Sequence, residues 1–352
     1  MFKFKPEHYM WSYYRSVCTC NQRCLAVDLI AAFMEISSFS IPNRSKGQIA
    51  VEVTITILLF IFAVWGNLLV CFAIYKKSNL RTIPNAFFLN LAVSNMLLTL
   101  SQLPILVITI VRGEWNLGER FCHVCAFLDI AFFSSNLFTL TAIGVNRYFK
   151  IVKPNRYGNF FFRKSVIFMV VFIWFLAITL CSGPFSGWGK YQFIPLKSLC
   201  SISDNGQSSF RITSSAIVSC CIFMIIACHI KIAQAVRHHR RRIVPERKCT
   251  QNESPIQSAQ EGPCRAIRDP QELRGEDVHI ARTVSVIVVL FCLCWVPNAI
   301  LDILVSHGVH VAREVRMFGV YMMFLDLVIN PAVYGMRNRE IRNMVKRLFH
   351  LD

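Results

Sequence analysis

The chain has 352 residues, 54% hydrophobic and 16% charged, with a formal net charge of +18. Soluble domains carry about 25% charged residues, so this composition excludes intrinsic disorder, a collagen-like repeat and a disulfide miniprotein, and it argues against an ordinary soluble enzyme. The basic excess points to nucleic acid or to a membrane surface, and the placement of the charges decides for the membrane: they fall in short stretches between long apolar runs.

The N-terminal stretch, residues 1–48, reads as an extracellular segment. It holds Cys18, Cys20 and Cys24, and a weak apolar run broken by Asp28 that makes a poor signal-peptide core. Met34 is a candidate translation start, with residues 1–33 as a gene-model extension. Asn43-Arg44-Ser45 is a glycosylation sequon just outside the first apolar run.

A membrane helix needs about 20 mostly apolar residues. Seven stretches qualify, near 49–75, 85–111, 119–149, 165–188, 210–236, 279–305 and 312–336. Basic loops stay on the cytoplasmic side of a membrane. The segments 76–84, 147–164, 231–282 and 337–352 carry three, six, eleven and five basic residues against zero, zero, seven and two acids. The alternate loops near 112–120, 189–211 and 306–316 are close to balanced. The N-terminus and these balanced loops therefore face outside, and the four basic segments face the cytoplasm. The long polar stretch 237–278, with His238-His239-Arg240-Arg241-Arg242, reads as a flexible third cytoplasmic loop whose arginines meet anionic headgroups rather than nucleic acid. The expected fold is an all-α membrane protein: a seven-transmembrane-helix bundle over 49–336, then a short amphipathic helix and tail over 337–352.

Asn is costly in a bilayer unless hydrogen-bonded, so Asn67, Asn95, Asn136 and Asn330 are expected to face the bundle interior. Pro297 and Pro331 interrupt helical hydrogen bonding and kink their spans, giving them places to pivot. No nucleophile–base pair or metal constellation stands out, and no cofactor is expected. A transporter, the alternative of another class, would show inverted repeats and charge-lined broken helices, which the chain lacks.

Several motifs fall in order on these spans: Gly66-Asn67, Asn90-Leu91-Ala92, Cys122, Asn146-Arg147-Tyr148, Trp174, Phe291 followed by Cys294-Trp295-Val296-Pro297, and Asn330-Pro331-Ala332-Val333-Tyr334. With them, residues 49–350 resemble a class A (rhodopsin-like) G-protein-coupled receptor. Gly187-Trp188-Gly189-Lys190-Tyr191 and Asn146-Arg147-Tyr148 are similar to the melatonin-receptor and opsin branch. The resemblance implies a plasma-membrane receptor with a heterotrimeric G protein and an extracellular small-molecule or peptide ligand as partners. It pairs Cys122 with Cys200 in a disulfide. It assigns coupling and activation to Asn146, Arg147, Tyr148, Phe291, Pro297, Asn330, Pro331 and Tyr334. It places ligand contacts at Asp129, Trp295, Asn298, Asp302 and Phe324.

The chain also departs from the family pattern. Asn146 stands where most members have Asp, so the usual ion pair with Arg147 is missing; Asp277 and Glu276 are candidate substitutes. Asn95 replaces the usual Asp of span two, while Asp326 stands at a usually neutral position of span seven. This makes Asn67, Asn95, Asn136 and Asp326 a candidate polar core site. Cys221 replaces the usual Pro of span five, and His229 the usual Tyr. Phe324 occupies the retinal-lysine position, which argues against a visual pigment. Asp129 lies where amine receptors hold a carboxylate, but Asn298 and Ala299 replace their aromatic pair. Asp129 and Asp302, two acids at one opening, favour a biogenic amine, another small cation or a basic peptide; a melatonin-like ligand stays open.

Overall fold

The computed structural model describes residues 41, 44–203, 208–249, 275–337 and 341–343, with the backbone alone at 208, 239–249, 275–277 and 279. Asn43, residues 1–33 and most of the expected amphipathic tail helix lie outside the described residues. So do the side chains of Glu276 and Asp277.

Seven helices are long and apolar enough to cross a membrane. They are α1 (Lys46–Lys76), α2 (Ile83–Arg112), α3 (Glu119–Val152), α4 (Arg163–Cys181), α5 (Ser208–Cys249), α6 (Gly275–Ser306) and α7 (Arg313–Arg337). A short helix, Pro154–Phe160, follows α3. Local chemistry sets the ends. Ser45 caps α1: its hydroxyl accepts from Gln48 N at 3.1 Å, and Gln48 Oε1 accepts from Ser45 N at 2.9 Å, a reciprocal capping box. Gly113, at φ 81°, closes α2 in the left-handed conformation that glycine takes freely.

Each helix shows one face to the bundle. On α1 the buried residues Thr56, Leu59, Ala63, Asn67, Val70 and Ile74 recur every three or four positions. Leu58, Phe62 and Trp65 point outward. Helix α4 exposes Ile167, Phe168, Val171, Phe172 and Phe175, an apolar surface that suits lipid rather than water. Helix α3 is the most central, buried from Cys122 to Ile151 along its length. Helices α1 and α7 touch at Gly66, where an added Cβ would lie 2.8 Å from Pro331 Cγ.

Two elements depart from the sequence expectation. Helix α4 ends at Cys181, not near 188, because Gly183-Pro184 opens a 3-10 turn through Ser186; proline disfavours helix at the residue before it and brings no N–H of its own. Helix α5 runs on to Cys249 and α6 starts at Gly275, so the stretch 237–278 is helical at both ends. Arg and Lys are good helix formers, and the end of the apolar run did not end the helix.

The stretch between α4 and α5 contains a hairpin that hydropathy does not show. Strand β1 (Tyr191–Ile194) pairs antiparallel with β2 (Leu199–Ile202), in register Tyr191 to Ile202. Cys200 on β2 is bonded to Cys122 on α3, which lays the hairpin over that end of the bundle. We call this the disulfide end, and the opposite end, where Arg147 sits, the basic end.

Candidate functional site

Beneath the hairpin lies a cavity of about 160 Å3, and among its lining residues are Asp129 and Phe133 of α3, Lys197 of the hairpin, and Trp295, Asn298 and Asp302 of α6. Four of the five expected ligand residues therefore meet here. Phe324 does not: it is buried in the apolar cluster of Leu98, Leu103, Leu106 and Leu327, because its position on α7 turns it toward α2 rather than into the cavity.

The charges of the cavity differ from the expectation of two acids awaiting a cation. Asp302 Oδ1 already accepts from Lys197 Nζ at 2.6 Å and from Arg316 Nη1 at 2.7 Å, and Oδ2 accepts from Asn298 Nδ2 at 3.0 Å. Asp129 is different. Its Oδ1 is shielded from solvent and has no hydrogen-bond partner among the described residues. Lys197 is close enough for its charge to act on Asp129.

The hairpin tip that carries Lys197 is built into the protein. Ser198 is fully buried with φ 54°. Its carbonyl accepts from Thr109 Oγ1 of α2 at 2.9 Å, and its hydroxyl accepts from Arg313 Nη2 of α7 at 3.0 Å. Arg313 also holds Glu52 of α1 through both terminal guanidinium nitrogens, Nη1 and Nη2, and Arg44 lies 3.6 Å from the same carboxylate. Burial and the neighbouring Arg313 charge lower the Arg44 pKa from its ordinary value. Tyr191, at the other end of the hairpin, donates to Cys181 O at 2.7 Å; burial pushes its phenol well above the usual range.

The cavity floor leads inward. The Trp295 ring lies 4.1 Å from Phe133 and 5.7 Å from Phe291. Its indole nitrogen donates to Asp326 Oδ2 at 3.4 Å. Asp326 is fully buried, one turn before Asn330, which is also buried. Beside it the amides form a chain: Asn136 Nδ2 donates to Asn95 Oδ1 at 2.8 Å, Asn95 Nδ2 to Asn67 Oδ1 at 3.2 Å, and Asn67 Nδ2 to Leu327 O at 2.9 Å. So Asn67, Asn95 and Asn136 are brought into one chain, and Asp326 meets it through α7 and faces Trp295. Asn90, Thr139 and Trp174 make a second knot across α2, α3 and α4, at 2.8 and 2.9 Å.

At the basic end Arg147 is 1% exposed. Asn146 Nδ2 donates to Tyr157 Oη at 3.2 Å, the partner it takes in place of an ion pair. Tyr148 packs edge-on against Phe149. Tyr334 stacks on Phe88 at 4.3 Å and donates to Asn85 at 2.8 Å. His229 and Ser285 join α5 to α6 at 2.9 Å, and Arg337 donates to Thr283 at 2.8 Å across α7 and α6. Pro297 and Pro331 both sit inside helices.

The chain matches the family model "7 transmembrane receptor (rhodopsin family)" over residues 66–334. It belongs to the rhodopsin family of seven-transmembrane receptors. As a rhodopsin-family receptor it is a multi-pass membrane protein and not an enzyme, and the transporter alternative has no support. Among its relatives is Melanopsin-B of Xenopus laevis, 25% identical over 80% of this chain and 51% of that protein. Melatonin receptor type 1A of Mus musculus is 25% identical over 84% of this chain and 78% of its own length. G-protein coupled receptor 161 of Homo sapiens is 24% identical over 88% and 61%. The chain thus spans about half the length of the melanopsin it matches. The crystal structure of squid rhodopsin superposes with a TM-score of 0.72 at 23% identity, covering 89% of this chain and 91% of the other, a likeness of fold.

Sequence reasoning missed Lys197, Arg316 and Phe133. Phe133 stands four residues after Asp129 on α3, a spacing that shares a helix face and could have found it. Nothing local marks Lys197, because its place depends on where the hairpin tip lands.

Proposed function

We propose that this receptor binds a small extracellular ligand bearing a protonated nitrogen and activates a heterotrimeric G protein. The disulfide end then faces outside, in the plasma membrane, with Asn43 as a glycosylation site, and the basic end faces the cytoplasm. The observation that carries the reading is Asp129, which lines the cavity and whose Oδ1 is shielded from solvent with no partner among the described residues. A buried carboxylate is costly unless paired, and an ammonium supplies the pair. The volume, about 160 Å3, lies below the ~300–1,000 Å3 of pockets for drug-sized ligands, which favours a small molecule over a basic peptide. Trp295 touches both the cavity and Asp326, so occupancy of one can be sensed at the other, and Pro297 and Pro331 provide the bends that move. Asn146, Arg147, Tyr148, Phe291, Asn330 and Tyr334 form the route to the G protein.

Two substitutions test this in cells expressing several chimeric G proteins. Asp129→Asn is expected to weaken agonist potency by roughly 10- to 100-fold, the worth of a charge-assisted hydrogen bond. Arg147→Ala is expected to abolish agonist-driven nucleotide exchange with ligand binding retained. A second reading, an uncharged ligand like that of the melatonin receptors it resembles, is favoured by the charge already met at Asp302. An active uncharged ligand indifferent to Asp129→Asn would decide for it.

A further inference from the structure

Three charged side chains line the cavity, Asp129, Asp302 and Lys197, and Arg316 of α7 pairs with Asp302. They do not pair off evenly. Asp302 alone takes both cations on its Oδ1, and it keeps Arg316 and Asn298 if Lys197 leaves. Lys197 is therefore the surplus cation of the outer cavity, and Asp129, on the facing helix, the surplus acid. Both line the same small space. The backbone presenting Lys197 is fixed from two helices by Thr109 and Arg313 through Ser198, so the ammonium can turn without the hairpin moving.

We propose that the ligand is a small zwitterion of the α-amino-acid type, whose ammonium binds Asp129 and whose carboxylate draws Lys197 away from Asp302. This rests on the reading that the cavity is the ligand site and Asp129 its anchor, and it adds the second pole. A lone cation would pair with Asp129 and leave Lys197 on a carboxylate that Arg316 also holds. A zwitterion gives both groups a partner. Charge-assisted hydrogen bonds are the strong ones, and in a site shielded from water opposed charges fix the orientation of a ligand as well as its affinity. Lys197 is on this account the residue that selects amino acid over amine.

The test uses the purified full chain in detergent micelles, with the rise in its melting temperature as the binding readout. The probes are the common α-amino acids, the amines formed from them by decarboxylation and the acids formed by deamination. At least one amino acid is expected to bind, and at least about tenfold more tightly than its amine and its acid, the worth of one charge-assisted bond. Lys197→Gln should bring the amino acid to amine ratio close to one. Lys197→Arg should preserve the ratio, and Asp129→Asn should weaken binding of both by roughly 10- to 100-fold. The wild-type panel is decisive even if Lys197→Gln fails to fold. Amines that bind as tightly as amino acids, in an Asp129-dependent way, overturn the zwitterion and leave the amine reading standing. A preference for amino acids that survives Lys197→Gln overturns the role of Lys197. Binding indifferent to Asp129→Asn overturns the anchor itself, and absence of binding by every amino acid overturns the inference.

Discussion

The two ends of the bundle are held by different chemistry. At the disulfide end a covalent bond ties the hairpin to α3, Glu52 joins α1 to α7 through Arg313, and Asp302 joins α6 to α7 and to the hairpin. At the basic end the ties described run to neutral partners: Asn146 to Tyr157, His229 to Ser285, Tyr334 to Asn85 and Arg337 to Thr283. A typical neutral hydrogen bond contributes only about 0.5–1.5 kcal/mol net, whereas stripping one partner from a buried ion pair costs about 3–5 kcal/mol. Among the described residues, the covalent and ionic ties gather at the disulfide end. That division fits the function proposed above.

The largest expected effect comes from the covalent tie. Cys200→Ala or Cys122→Ala should cost about 2–5 kcal/mol and sharply reduce surface expression, read by flow cytometry; peptide mapping of the wild type should find the two joined. Free thiols at both positions in surface protein would remove the covalent half of the contrast.

Next is Glu52→Gln, which leaves the guanidiniums of Arg313 and Arg44 facing a neutral amide. With Arg313 5% exposed and Glu52 12%, the cost should approach about 3 kcal/mol and lower the melting temperature in micelles. Adding Arg313→Met should return part of it. A melting temperature that does not move would mean the ionic cluster holds nothing.

Between the two ends, the polar core tests whether they communicate. Asp326→Asn alone should impair signalling, and Asn95→Asp with Asp326→Asn should recover part of it. Measured as a double-mutant cycle, a shared site gives an interaction energy of about 0.5–3 kcal/mol. Simple additivity would place Asn95 and Asp326 in separate sites.

The smallest effects belong to the neutral ties. Tyr157→Phe removes the partner of Asn146 and should raise basal nucleotide exchange by a few-fold, as expected for one net hydrogen bond. Asn146→Asp should lower it by restoring a carboxylate beside Arg147. Unchanged basal exchange in both variants, at equal surface expression, would show that these ties do not hold the resting state.

Most of the bundle was legible because lipid imposes a length and an apolar composition on any helix that crosses it, and both are written locally. The interior amides were legible for the same reason: Asn67, Asn95 and Asn136 are costly anywhere but in contact with one another. The ends of α4 and α5 were less so, since hydropathy records where lipid stops and not where helical hydrogen bonding does. The cavity was read in its acids and misread in its balance. Asp302 looked available because its counter-ions come from Lys197, 105 positions before it, and from Arg316 on the next helix. No local pattern reports such a meeting.

Gly66 has a reach beyond its size. It leaves the space that Pro331 fills: a Cβ added there would lie 2.8 Å from Pro331 Cγ, closer than two carbons pack. Pro331 sits inside α7, where a proline favours a bend, so the first helix, otherwise turned largely outward, serves as the bearing for that point. Gly66→Ala would push on the bearing by one methyl group, far from both ligand and partner. The bend would have to open, shift along its axis or lose contact with α1. Bearing clearance is thus a third control on the helix geometry, separate from the ties at either end.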